Sequence, residues 1–215
     1  MGSATDLSSH RDTRGVYGAI PFAVAPGAWR YAAVPLALAL PALVLSVPVA
    51  VACALAGVGI LWFHRDPARS TPSTGFVAPA DGRVSVVREE GDRVRVGVFM
   101  NVTDVHVNRA PAPCTVADVE HTPGRHLPAF SKDSDRNERV TLDCGDFEVS
   151  LIAGAVARRI HPYVEPGDAL ERGDRIGHIS FGSRADVLLP GGYDLGDVRV
   201  ERGQRVRAGE TLIVE

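Results

Sequence analysis

Lysine is almost missing from this chain: among 23 basic residues only Lys132 is a lysine, and the rest are arginine. Basic residues are also fewer than the 26 acidic ones, leaving a formal net charge of −3 and a pI near 6.2. A nucleic-acid binder normally carries a basic excess, so that class is set aside. The three cysteines, Cys53, Cys114 and Cys144, are odd in number and lack metal-ligand spacing. They fit a reducing compartment and suggest neither a disulfide framework nor a metal site. Aromatic residues make up 6% of the chain, so the core must rest on Val, Leu, Ile and Ala. No Gly-x-Ser-x-Gly elbow is present, which removes the commonest serine-hydrolase arrangement.

Charge is absent altogether from Tyr31 to Phe63, a run of 33 residues. About 20 apolar residues suffice to cross a bilayer. The run starts too late and is too long for a cleavable signal peptide. Membrane embedding is the expectation. Pro48 lies near the middle of the run, so two short helices hinged at Ser46-Val47-Pro48 would make a hairpin. A tilted single span is the alternative. Arg11, Arg14 and Arg30 precede the run, and Arg65 and Arg69 follow it. Arginine on both flanks favours both ends in the cytoplasm. Trp29 and Trp62 stand at the edges, where amphipathic rings favour the interface. The organisation expected is a polar N-terminal tail (1–30), a membrane segment (31–63) and a soluble domain (64–215).

Beyond Pro67, short Val- and Ile-rich runs alternate with Gly, Asp and Pro. Val94-Arg95-Val96 and Val198-Arg199-Val200 show the strand period of two. No long amphipathic helix is legible after residue 64. The expected fold is mostly β: a compact antiparallel sandwich or barrel-like domain behind the helical membrane segment. Turns such as Pro79-Ala-Asp-Gly-Arg-Val84 are loosely similar to those of lipoyl- and biotinyl-type modules. A membrane-anchored binding module of that kind is the alternative function. Such carriers need a lysine at a hairpin tip, and Lys132 sits instead in a polar loop.

The sharpest motif is Arg175-Ile-Gly-His-Ile-Ser-Phe-Gly182-Ser183-Arg184. A Gly-Ser pair taken alone is a turn. With Phe63-His-Arg-Asp-Pro-Ala-Arg69, Pro79–Val84, Phe99–Pro111 and Asn137–Val140, however, the chain resembles the phosphatidylserine decarboxylases, in order from residue 63 to the C-terminus. The Phe-Gly-Ser-Arg form places the resemblance in the short, archaeal-type branch. It implies a zymogen that cleaves itself between Gly182 and Ser183 into a large chain (1–182) and a small chain (183–215), which stay associated. Ser183 then becomes a covalent pyruvoyl cofactor, and catalysis needs neither a metal nor pyridoxal phosphate. Loss of carbon dioxide from an amino acid leaves a carbanion that no ordinary side chain can stabilise, and a carbonyl cofactor joined to the amine as a Schiff base can.

The resemblance also distributes roles. Asp81 and His106 are candidates for the base that Ser183 requires. Longer relatives carry two histidines three residues apart. Here His106 matches the first, linked to decarboxylation, while Arg109 stands where the second is linked to self-cleavage. Either His106 serves both steps or Asp81 acts with another partner. Read without the resemblance, Asp81 before Gly82 is an ordinary turn residue and His106 a half-buried strand residue. Arg65, Arg109 and Glu138 are candidate substrate-binding residues, Arg65 for the anionic head group at the bilayer surface. The implied substrate is phosphatidylserine within the cell membrane, with the catalytic domain on the cytoplasmic side. A homodimer is left open. The other histidines, among them His64, His161 and His178, show no ligand spacing, and strand packing accounts for His178. The Ser131–Glu138 stretch reads as a solvated loop or a lid.

Overall fold

A computed structural model of the chain describes residues 23–125, 136–154, 160–179 and 182–215. Residues 1–22 of the N-terminal tail, Lys132 and most of the Ser131–Glu138 stretch lie outside these residues. In chain order the described elements are β1 (Ala23–Val24), helices α1 (Ala28–Leu45) and α2 (Val47–Phe63), β2 (Arg65–Asp66), β3 (Phe76–Val77), β4 (Gly82–Glu90), β5 (Arg93–Phe99), β6 (Val107–Arg109), β7 (Cys114–Thr115), β8 (Asp118–Thr122), β9 (Arg139–Asp143), β10 (Glu148–Ile152), β11 (Ile160–Pro162), β12 (Ala169–Leu170), β13 (Arg175–Ile179), β14 (Arg184–Leu188), β15 (Arg205–Val206) and β16 (Leu212–Val214).

The apolar run forms a helical hairpin. Ser46 adopts an extended conformation between the helices while its N–H still bonds to the Ala42 carbonyl at 2.8 Å. Pro48 lies in the first turn of α2, where its missing N–H costs nothing. The helices approach closely: a Cβ added to Gly57 would lie 2.5 Å from the Leu36 side chain. Small residues permit such contact between apolar helices. Leu40, Val44 and Leu45 are more than 70% exposed, a surface suited to lipid. Among the described residues, α1 is long and apolar enough to cross a membrane; α2, at 17 residues, is slightly shorter.

The rest is antiparallel β structure, as the alternating pattern implies. Seven strands form the main sheet in the order β15-β4-β5-β14-β10-β9-β8, and three more form a second sheet, β11-β13-β6. Met100, Leu142, Leu151, Ile176, Ile179, Leu189 and Ile213 fill the core between them, each under 2% exposed. Strand β14 sits in the middle of the main sheet, paired with β5 on one side and β10 on the other. One expected strand is absent. Val198–Val200 sends Arg199 N–H to the Ile213 carbonyl at 2.8 Å without forming a ladder, and the β16 strand that holds Ile213 pairs with β3 instead. Two thiols that sequence left unrelated also meet: Cys114 Sγ donates to Cys144 Sγ at 2.8 Å.

Candidate active site

The chain changes sheets between β13 and β14, and Gly182-Ser183 occupies that crossing. Gly182 has φ = 64°, a left-handed backbone that L side chains adopt only with strain. Space is not the constraint, since a Cβ there would meet nothing within 4 Å. Ser183 follows, fully buried. Its carbonyl accepts from Met100 N–H at 2.9 Å, and its hydroxyl points to Met100 Sδ at 4.0 Å.

Asn108 of β6 approaches the same methionine, and His106 stands just before that strand. Asn108 Nδ2 donates to Met100 Sδ at 3.5 Å. His106 is 2% exposed, with Nδ1 3.0 Å from the Asp104 carbonyl. A carbonyl only accepts, so Nδ1 carries the proton and Nε2 the lone pair. Burial pushes the His106 pKa down to about 4, although the Asp104 contacts oppose the shift, so the ring is neutral at neutral pH. Phe63, the last residue of α2, lies 4.3 Å from the imidazole between ring centroids. The end of the hairpin therefore roofs this part of the site.

Asp81 stands beside the same stretch of chain. The following Gly82 crosses so close to β5 that an added Cβ would lie 2.0 Å from the Phe99 carbonyl oxygen. The Asp81 carboxylate accepts from Ala208 N–H at 2.8 Å and from Arg69 at 2.9 and 3.0 Å. It thus ties the segment after the apolar run to the C-terminal segment. Neither Asp81 nor His106 is hydrogen-bonded to the Ser183 hydroxyl. The structure brings Ser183 and Asn108 to one thioether, with His106 two residues before Asn108 and Asp81 beside the Phe99 end of β5.

The other three candidates divide. Arg65 lies over the Trp62 ring at 4.2 Å and donates to the Thr103 carbonyl at 2.7 Å. It lines a polar cleft of about 400 Å³ with Asp81, Thr103, Asp104, Arg205 and Arg207. Arg109 turns elsewhere, donating to Asp66 at 2.6 Å and to the Gly173 and Pro67 carbonyls. Asp66 also receives Arg175, so the motif that follows the apolar run is anchored by a buried carboxylate between two arginines. Glu138 accepts from His121 at 2.9 Å.

Sequence reasoning missed three features. Arg205 and Arg207 join the cleft from β15 and the turn after it, and nothing local marks them. Arg184 and Asp186 form a bidentate buried pair at 2.7 and 2.9 Å just after Gly182-Ser183; their spacing of two on a strand was the available signal. His161 stacks on His178 at 4.5 Å, with His64 5.9 Å from His178 and the Tyr163 hydroxyl 2.7 Å from His178 Nδ1. Burial, then the neighbouring histidines, push the His178 pKa down to about 3. Register across strands creates this cluster, and spacing along the chain does not show it.

A pyruvoyl group fits the residues present. A serine that could supply it is there, buried, behind a glycine in a left-handed conformation and at the head of a strand gripped on both sides. Among the described residues, no group of three or more His, Cys, Asp or Glu is arranged to hold a metal ion.

Comparison with known proteins agrees with this geometry. The phosphatidylserine decarboxylase family profile matches residues 59–214. A Halobacterium salinarum protein named "Putative archaetidylserine decarboxylase proenzyme" is 58% identical over 189 residues, covering 87% of this chain and 96% of that protein. Phosphatidylserine decarboxylase proenzymes of Streptomyces avermitilis and Thermobifida fusca are 51% and 52% identical, each covering more than three quarters of both chains. With the Gly-Ser crossing, the motif order and the match all in agreement, the chain belongs to the phosphatidylserine decarboxylase family.

Proposed function

We propose that this lyase converts phosphatidylserine to phosphatidylethanolamine and carbon dioxide, using a pyruvoyl group that it makes from Ser183. Archaetidylserine, in the name of the Halobacterium relative, shares the serine head group. The polar residues described above speak to the head group and not to the hydrocarbon chains. One observation carries the proposal: Ser183 is wholly buried, directly after a left-handed glycine, at the start of a strand held on both edges.

In the first stage Ser183 Oγ attacks the Gly182 carbonyl carbon. The peptide bond breaks, an ester forms, and the amine of residue 183 is freed. Loss of the Cα proton then expels the Gly182 carboxylate and leaves dehydroalanine. Tautomerisation and addition of water release ammonia and leave the keto group. Asp81 and His106 both lie beside Phe99–Asp104, and both are candidate bases for Ser183. Fragment formation in Asp81→Asn and in His106→Gln assigns the step to one of them.

Once formed, the group supplies an electrophilic carbonyl that accepts the electron pair left when carbon dioxide departs. The chain's own residues do the rest. Met100 N–H holds the carbonyl of residue 183. Neutral His106 takes and returns a proton beside it. Arg65, with Arg205 and Arg207 across the cleft, receives the phosphodiester. The hairpin holds this cleft at the bilayer, and arginines on both flanks favour the cytoplasmic side. The small fragment stays bound because its strands β14, β15 and β16 each pair with strands of the large one.

The test is turnover by the purified full-length protein in vesicles containing phosphatidylserine. Carbon dioxide and phosphatidylethanolamine should appear in equal amounts. A correctly processed protein that leaves the head group intact would refute the assignment.

A further inference from the structure

Two buried acceptors without partners belong to residues two apart in sequence, and one of those residues shares a neighbour with Ser183. Among the described residues, the buried side-chain polar atoms without any hydrogen bond are Arg69 Nε, His106 Nε2 and Asn108 Oδ1. The last two belong to residues two apart, so their side chains leave the same face of extended chain. The intervening and preceding valines confirm the alternation: Val105 and Val107 pack together with Ala25 in a separate apolar cluster. Asn108 is fully buried and His106 nearly so.

Both orphan atoms are acceptors. His106 Nδ1 gives its proton to the Asp104 carbonyl, so Nε2 offers a lone pair. Asn108 Nδ2 faces Met100 Sδ, which has no proton to give, so Oδ1 is the free end of that amide. Leaving one buried acceptor unpaired is costly, and leaving two on one face points to a group that supplies both partners. A carboxylate or phosphodiester cannot do so, because its oxygens only accept. A primary ammonium, with three N–H donors, can. The serine head group carries one such group, on the carbon that loses carbon dioxide. Met100 Sδ touches both Asn108 and the Ser183 hydroxyl, which sets Asn108 next to the reacting position, with His106 two residues before it.

We propose that Asn108 Oδ1 and His106 Nε2 together receive the primary amine of the substrate, Asn108 orienting it and His106 accepting one of its protons. The transfer turns R–NH3+ and neutral imidazole into R–NH2 and imidazolium, and it frees the nitrogen lone pair needed to attack a carbonyl. Asn108 is then a positioning and specificity residue for head groups with an unblocked amine. This inference rests on the decarboxylase reading above.

The experiment uses full-length protein carrying Ser183→Ala, which cannot form the cofactor, so binding is read apart from turnover. Short-chain phosphatidylserine is titrated against its N-acetyl derivative, which keeps the phosphate and carboxylate but caps the amine. The parent should prefer the free amine by about tenfold or more, as expected for a hydrogen bond to a charged group. Adding Asn108→Leu should abolish that preference, with an unchanged melting temperature showing that the variant is folded. Asn108→Asp, which keeps an acceptor, should retain the preference and serves as the test if the leucine variant fails to fold. Equal preference in the parent and Asn108→Leu would overturn the assignment. If wild-type protein cleaves itself and releases carbon dioxide in that case, only the amine site falls. If it does neither, the decarboxylase reading falls instead.

Discussion

Asp66 receives two arginines and is 1% exposed. Removing one member of a buried ionic cluster leaves the others uncompensated, typically at ~3–5 kcal/mol. Asp66→Asn should therefore melt well below wild type in a thermal scan, and an unchanged melting temperature would show the cluster to be dispensable. The cleft arginine behaves differently. Arg65→Gln should raise KM for the serine lipid roughly tenfold or more with little change in kcat, as expected for lost phosphate binding. His106 and His178 add a pH dependence. Their folded pKa values, about 4 and about 3, lie below the ordinary 6.5. Above pH 6.5 both states are neutral and nothing changes. Below it the unfolded chain takes up protons that the folded chain refuses, so stability falls by up to ~1.4 kcal/mol per pH unit for each group until its folded pKa is reached. Denaturant midpoints should decline from pH 6.5 to 4, and less steeply in His178→Phe. A flat profile would mean that these rings are charged in the fold.

At the scale of elements, β14 explains why a cut chain should remain one molecule. Five of its residues pair with β5 and five with β10, and all of them are buried. The two fragments should co-elute in native size-exclusion chromatography and separate only in denaturant; separation without denaturant would contradict the pairing. Much of this element was readable in advance, because Arg184–Leu188 follows a distinctive Gly-Ser pair and ends in apolar residues. The helical hairpin was equally legible from its missing charge and from Pro48. Val198–Val200 was not, since alternation reports a tendency to extend and cannot say whether a neighbouring strand is free to pair. The 161–178 histidine stack was hidden for the related reason that register between β11 and β13 is set by the whole second sheet. Arg205 and Arg207 reach the cleft only because β15 pairs with the start of β4.

On the scale of the whole molecule, an apolar hairpin ends in Trp62 and Phe63, and the site begins at those residues. Arg65 sits on the Trp62 ring while Phe63 covers His106. A substrate that never leaves the bilayer would thus meet a cationic cleft first and the buried acceptors next. The protein should sediment with membranes and resist extraction by alkaline carbonate, and release into the carbonate supernatant would refute embedding. The central claim, however, is chemical: a buried serine behind a left-handed glycine becomes the cofactor. Intact mass of denatured wild-type protein beside Ser183→Ala tests it most directly. The account predicts two wild-type fragments, residues 1–182 and a blocked 33-residue chain lighter by one ammonia than simple hydrolysis would leave, with the variant whole. A wild-type chain that stays in one piece, with Ser183 unaltered, would contradict it.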